Sequence, residues 1–143
     1  MIVVGVDHSD GAKAALRFAL GEAELRQTSL RVVHAWQLGY VAASFIPGSY
    51  PEFGDELDEL RDAAEATLHE IVPTPGAVEI ERRVVEGAPS AVLVDESRDA
   101  ELLVVGSRGL GGFSGLLLGS VSQQCAHHAA CPVVIVRAPT DSD

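Results

Sequence analysis

Five short strand-like segments punctuate this chain: the mainly apolar runs Ile2-Val3-Val4-Gly5-Val6, Leu30-Arg31-Val32-Val33-His34-Ala35, Leu102-Leu103-Val104-Val105-Gly106 and Cys131-Pro132-Val133-Val134-Ile135-Val136, and the mixed stretch from Val78 to Val85. Most lack the alternation of a strand with one wet face, so they read as strands buried on both sides. Between them lie segments with helical spacing, which gives the order βαβαβαβαβ. Such strict alternation implies an α/β fold: a parallel sheet with helices on both faces and right-handed crossovers.

The helices carry their own signals. From Ala12 to about Arg26, Ala15, Leu16, Ala19, Leu20 and Ala23 recur at intervals of three and four, forming one apolar face. Ser9 or Asp10, in the turn Asp7-His8-Ser9-Asp10-Gly11, can cap that helix. An acidic helix places Leu57, Leu60, Ala64, Leu68 and Ile71 in line until Pro73 stops it. Pro89 suits the first turn of a short helix running toward Arg98, and Val121 to Ala130 forms the last. Val78-Glu79-Ile80-Glu81 alternates, as a strand near a sheet edge does. The stretch from Gly39 to Gly54 mixes Pro47, Gly48 and Pro51 with Tyr40, Phe45, Tyr50 and Phe53. It reads as a long connection, either a plain surface loop or a cover over a ligand.

With 143 residues, 47% of them hydrophobic, the chain has the size and core of one domain. Residues 1–138 are expected to form it and residues 139–143 a short polar tail. No apolar run is long enough to span a bilayer and no export signal opens the sequence, so a cytoplasmic location is expected. The formal charge of -11 repels nucleic acid and anionic lipid. A phosphate site in such a chain must be positive locally, through a helix dipole or a cation brought by the ligand.

The fourth strand leads into Gly106-Ser107-Arg108-Gly109-Leu110-Gly111-Gly112-Phe113-Ser114-Gly115-Leu116-Leu117-Leu118-Gly119-Ser120, and a helix follows at once. Glycines permit close backbone approach and positive φ, and a helix start offers unpaired N–H groups, so the segment has the chemistry of a phosphate cradle. A Walker loop would need a lysine after its second glycine, yet Gly106-x4-Gly111 is followed by Gly112. A dinucleotide fingerprint belongs in the first strand–helix turn, where Gly5 to Gly11 lacks it. The hydrolase elbow also fails, because Gly112-Phe113-Ser114-Gly115 continues with Leu116.

The spacing Gly106-x2-Gly109-x9-Gly119-Ser120 resembles the nucleotide-binding motif of the universal stress protein family at all four positions. The resemblance covers essentially the whole chain and implies a Rossmann-like, doubly wound five-stranded sheet of order 3-2-1-4-5, an ATP site with magnesium or manganese, and a homodimer. Val4-Gly5-Val6-Asp7-His8-Ser9 is similar to the family's strand-one ending, which assigns Asp7 to the ribose hydroxyls and sets Gly5 beside it. A carboxylate accepts two hydrogen bonds and so suits a vicinal diol; read locally, Asp7 is equally a turn or capping residue. Val33-His34-Ala35 is similar to the strand-two ending, whose backbone reads adenine at Ala35. Gly106 is implied to lie against ribose and α-phosphate and Gly109 in the turn below the phosphates. Gly119, Ser120 and Val121 are implied to donate to the outer phosphates. Arg108 is either a phosphate partner or a solvated arginine. The sequence departs from the family's common pattern at His8 and Ala12.

Cys125, His127, His128 and Cys131 have the residue types of a zinc site, but about 100° per residue on a helix turns Cys125 and Cys131 to different sides. His34 reads as a satisfied core histidine. Three readings of function remain: an ATP-binding stress protein acting as sensor or interaction module, a nucleotide-cleaving or nucleotidyl-transferring enzyme of the adenine nucleotide α-hydrolase-like superfamily, and a ligand-free stress protein. The first is favoured, with very slow hydrolysis at most. In the implied order the last strand is an apolar sheet edge, so residues 133–137 are the expected homodimer contact.

Overall fold

The computed structural model describes residues 1–7, 9–37, 54–72, 76–107 and 118–138, with side chains in the second helix described from residue 57. The elements are β1 (Ile2–Gly5), α1 (Asp10–Arg26), β2 (Leu30–Trp36), α2 (Gly54–Ile71), β3 (Ile80–Glu86), α3 (Pro89–Glu96), β4 (Leu102–Gly106), α4 (Ser120–His128) and β5 (Val133–Val136). The five strands form one parallel sheet of order β3-β2-β1-β4-β5. Most of the long connection after β2, Arg108, Gly109 and the tail lie outside the described residues.

Alternate residues of each inner strand enter different cores. Ile2, Val4, Leu30, Val32, Leu102 and Val104 pack with α1 and α2, and the alanines Ala15, Ala19 and Ala23 let α1 lie close on the sheet. Val3, Val33, Leu103 and Val105 face the other way, onto Leu93 of α3 and Cys125 of α4. Both faces of these strands are therefore dry, as their lack of polar alternation requires. The acidic α2 follows the expected apolar line only in its second half: Ala64 and Leu68 are buried, whereas Leu60 is 39% exposed.

Local chemistry explains where elements start and stop. The Ser9 side chain accepts from the Ala12 N–H at 3.1 Å and so caps α1, which begins at Asp10, two residues before Ala12. Gln27 takes the left-handed conformation (φ 53°) that ends α1. Pro132 has no N–H, so β5 begins after it, although the Pro132 carbonyl still accepts from Leu103 at 2.9 Å. Gly87 has φ 146°, and a side chain there would meet Val92 Cγ2 at 2.9 Å, so the turn from β3 into α3 demands glycine.

The two sheet edges differ. Outer strand β3 carries Glu81, Arg82, Arg83 and Glu86, with Arg31 bridging Glu81 and Glu96, and Arg83 reaching Glu96 at 3.1 Å. The other edge, Val133–Val136, holds no charge and is half-buried throughout.

At the end of β4, a Cβ on Gly106 would stand 3.0 Å from both the carbonyl carbon and oxygen of Gly11. Gly106→Ala is expected to lower stability by about 1–3 kcal/mol through overpacking. Gly21, in mid-α1, has nothing within 4 Å of its Cβ position, so Gly21→Ala is expected to raise stability by about 1 kcal/mol. Urea unfolding midpoints at unchanged slope check both.

Candidate functional site

In a doubly wound sheet the ligand crevice opens at the carboxyl ends of two neighbouring strands whose crossovers leave toward opposite faces. Here those strands are β1 and β4, which pair directly, with α1 on one face and α4 on the other. Val4 is level with Val104, so Gly106 stands level with Val6, one residue from Asp7. Two helix starts flank this point.

Each strand end is shaped by a glycine through close approach, not through positive φ. Among the described residues the only glycine with positive φ is Gly87; Gly106 is needed because the first turn of α1 rests on it at Gly11. The position a Gly5 side chain would take is filled by Leu93, whose Cδ1 lies 2.6 Å from it. Gly5 thus serves the seating of α3 on β1.

Asp7 is half-buried, and its Oδ1 accepts from the Ser9 N–H at 2.8 Å and from the Ser9 hydroxyl. Ser9 both caps α1 and fixes the Asp7 carboxylate. The two local roles offered by the sequence are therefore divided: Ser9 is the cap, and Asp7 the turn residue held by it. Asp10, exposed in the first turn, faces the positive end of the α1 dipole.

β2 outruns its neighbour. The β1–β2 register ends at Gly5 opposite Val33, with one further bond from Val6 N–H to the Val33 carbonyl at 2.9 Å. In a parallel ladder alternate residues address the same neighbour, so Ala35, like Val33, directs its backbone groups to the side where β1 has already ended. His34 is half-buried, and its Nδ1 lies 2.9 Å from the Val6 carbonyl. A carbonyl only accepts, so Nδ1 carries the proton there and His34 braces the end of β1.

The glycine-rich segment is held at a neck. The Ser107 carbonyl accepts from the Gly119 N–H at 2.6 Å and from the buried Ser122 hydroxyl at 3.1 Å, while the Ser107 N–H donates to the Val136 carbonyl at 2.8 Å. The sequence reading missed Ser107 and Ser122, although the repeated serines beside Gly106 and Ser120 were visible. Within this neck the Gly119 N–H is directed at the Ser107 carbonyl. The donors that α4 offers are the N–H groups of Ser120, Val121 and Ser122, which a helix start leaves without intrahelical acceptors. Gly119 is the N-cap, provides no side-chain cap, and the first turn holds no acid. Arg108 and Gly109, the remaining expected contacts, lie outside the described residues.

The cysteine geometry differs from the helical phase argument. α4 stops at His128, and Cys125 and Cys131 both pack on the core beneath α3 and α4, while His127 and His128 stay exposed. Burial pushes the Cys125 thiol up to about 11, with the neighbouring Cys131 sulfur adding to the effect.

Comparison with known proteins agrees with this architecture. Universal stress protein Rv2623 of Mycobacterium tuberculosis is 38% identical over 139 residues, which cover 95% of this chain and 47% of that protein. The chain spans about half the length of the curated relatives it matches. Among solved structures, universal stress protein UspA from Lactobacillus plantarum superposes with a TM-score of 0.75 at 26% identity, covering 95% of this chain and 96% of the other. A universal stress protein solved in complex with cAMP superposes with a TM-score of 0.62 at 32% identity, covering 96% of each chain. The sequence profile of the Universal stress protein family matches residues 1–137, and this chain belongs to that family.

Proposed function

We propose that this chain binds an adenine nucleotide, ATP with magnesium or manganese, in the crevice between β1 and β4, and that it serves in the cytoplasm as a nucleotide-dependent sensor or interaction module in stress response. The observation that carries the reading is the uncapped start of α4, set beside the Ser9-held carboxylate of Asp7. The N–H groups of Ser120, Val121 and Ser122 suit phosphate, Asp7 suits the ribose diol, and the outrunning backbone at Ala35 suits adenine. The relative solved with cAMP supports the ligand class. A divalent ion arriving with the nucleotide would be held mainly by phosphate oxygens and water, as magnesium commonly is.

Three or four charge-assisted hydrogen bonds at about 1.5–3 kcal/mol each offset an association cost of roughly 4 kcal/mol or more. Adenine burial brings the net near about -8 kcal/mol, on the order of micromolar affinity. Calorimetric titration of nucleotide-free protein with ATP and magnesium is expected to show it, and no binding under those conditions overturns the proposal. Asp7→Asn keeps an acceptor for Ser9 but replaces one ribose acceptor by a donor; it is expected to weaken ATP by about tenfold or more. Gly119→Val is expected to abolish binding by filling the phosphate side of the crevice.

Binding without turnover fits a sensor. With no Walker lysine in the sequence, ATP hydrolysis is expected far below ordinary enzymatic rates of about 1 per second. A rate of that order that disappears in Gly119→Val favours the enzyme reading instead.

The uncharged edge Val133–Val136 suits a second copy of the chain, paired antiparallel about a two-fold axis with Arg137 at the end of the contact. Light scattering is expected to give a dimer that Ile135→Asp converts to monomer. A wild-type monomer at tens of micromolar, with and without ATP, ends this part of the proposal.

A further inference from the structure

The fold sets Cys125 and Cys131 against one hydrophobic cluster, which their spacing in the sequence does not foretell. α4 ends at His128, and Ala129, at φ -64° and ψ 141°, turns the chain back toward the sheet while its N–H donates to the Cys125 carbonyl at 2.9 Å. The bond from Leu103 N–H to the Pro132 carbonyl, 2.9 Å, then pins the residue after Cys131 against β4. Cys125 is fully buried among Val3, Leu103 and Val105, and Cys131 packs on the same cluster from its half-buried rim. Burial raises the Cys125 pKa, and Cys131 adds to that rise.

We propose that Cys125 and Cys131 form a peroxide-responsive thiol pair that closes to an intramolecular disulfide, tying the end of α4 to the residues that lead into β5. Cys131, on the solvent side, is the sulfur that hydrogen peroxide reaches first. Its thiolate attacks one peroxide oxygen, the O–O bond breaks, and the departing hydroxide takes up a proton as water, leaving a sulfenic acid. The Cys125 sulfur then attacks the Cys131 sulfur; the S–S bond forms, the S–O bond breaks, and the hydroxyl leaves as water with the Cys125 proton. Two thiols and one peroxide become one disulfide and two waters. The buried, proton-holding Cys125 is the slow partner, so closure accelerates as pH rises toward about 11. The inference is independent of the nucleotide reading, because neither sulfur takes part in the β1–β4 crevice.

The test is intact-mass analysis and peptide mapping of the folded, fully reduced protein after hydrogen peroxide treatment. The expected result is a loss of two hydrogens per chain and a linked peptide joining Cys125 to Cys131, formed within one chain and faster at about pH 10 than at about pH 7. In Cys125→Ala, Cys131 is expected to proceed instead to the sulfinic acid or to a disulfide between chains. In Cys131→Ala, Cys125 is expected to stay reduced until the protein is unfolded. Wild-type protein that accumulates Cys131 sulfinic acid with Cys125 still reduced, or that links only between chains, overturns the proposal. That wild-type measurement decides the matter even if a variant fails to fold.

Discussion

A sheet with two apolar faces cannot leave either of them in water, and this one requirement sets most of the architecture. Val3 and Val4 are both fully buried although they point in opposite directions, so helices must cover both sides of β1. Parallel strands joined by right-handed crossovers then bring helix starts to the carboxyl ends of the strands. The crevice between β1 and β4 arises because α1 and α4 depart from neighbouring strands toward opposite faces. Its position is thus a by-product of burial, and its chemistry comes from the few residues at those ends.

What those residues add is proximity. Gly106 lets the first turn of α1 touch β4 at Gly11, and Gly5 lets Leu93 of α3 reach the end of β1. A larger residue at either position would lift a helix from its strand and widen the crevice. Ser107 then fastens three elements with one residue: its carbonyl takes Gly119 and Ser122 from the start of α4, and its N–H reaches Val136 at the end of β5. The start of α4 is held against β4 whatever the intervening residues do, so its N–H groups need little reordering to meet an anion. Preorganisation of this kind saves the entropy that a loose loop loses on binding.

The strands and their order of appearance were legible because runs such as Leu102-Leu103-Val104-Val105 have one reading in a chain of this length. The strand order was not carried by periodicity; it came from the match of Gly106, Gly109, Gly119 and Ser120 to a known family. Local misreadings share a cause, which is that one-dimensional patterns assume an element continues. The helical phase that separated Cys125 from Cys131 holds only if α4 runs past His128, and it does not. The apolar line Leu57-Leu60-Ala64-Leu68 assumes that the sheet lies beneath all of α2, yet Leu60 projects beyond it. Nothing in the sequence shows that the Gly119 N–H has a partner in Ser107, because that bond closes across the ends of the glycine-rich segment. The sequence narrows the cap of α1 to Ser9 or Asp10; that Ser9 is the cap, and that it also bonds Asp7, depends on the turn geometry.

The proposed binding of an anion by a chain of net charge -11 separates global from local electrostatics. At physiological ionic strength exposed charges are screened over about 8 Å, so the acidic α2 and the rest of the surface contribute little within the crevice. Close at hand are the dipoles of α1 and α4, the Asp10 carboxylate at the start of α1 and the Asp7 carboxylate beside it. The start of α4 holds no acid, whereas α1 begins with one, so the attraction for phosphate is concentrated on the α4 side. Asp7, as a carboxylate, repels phosphate and accepts from hydroxyls. On the proposed reading the two sides of the crevice favour opposite ends of the same ligand, and a nucleotide seated there would be oriented by charge before any contact with its base is made.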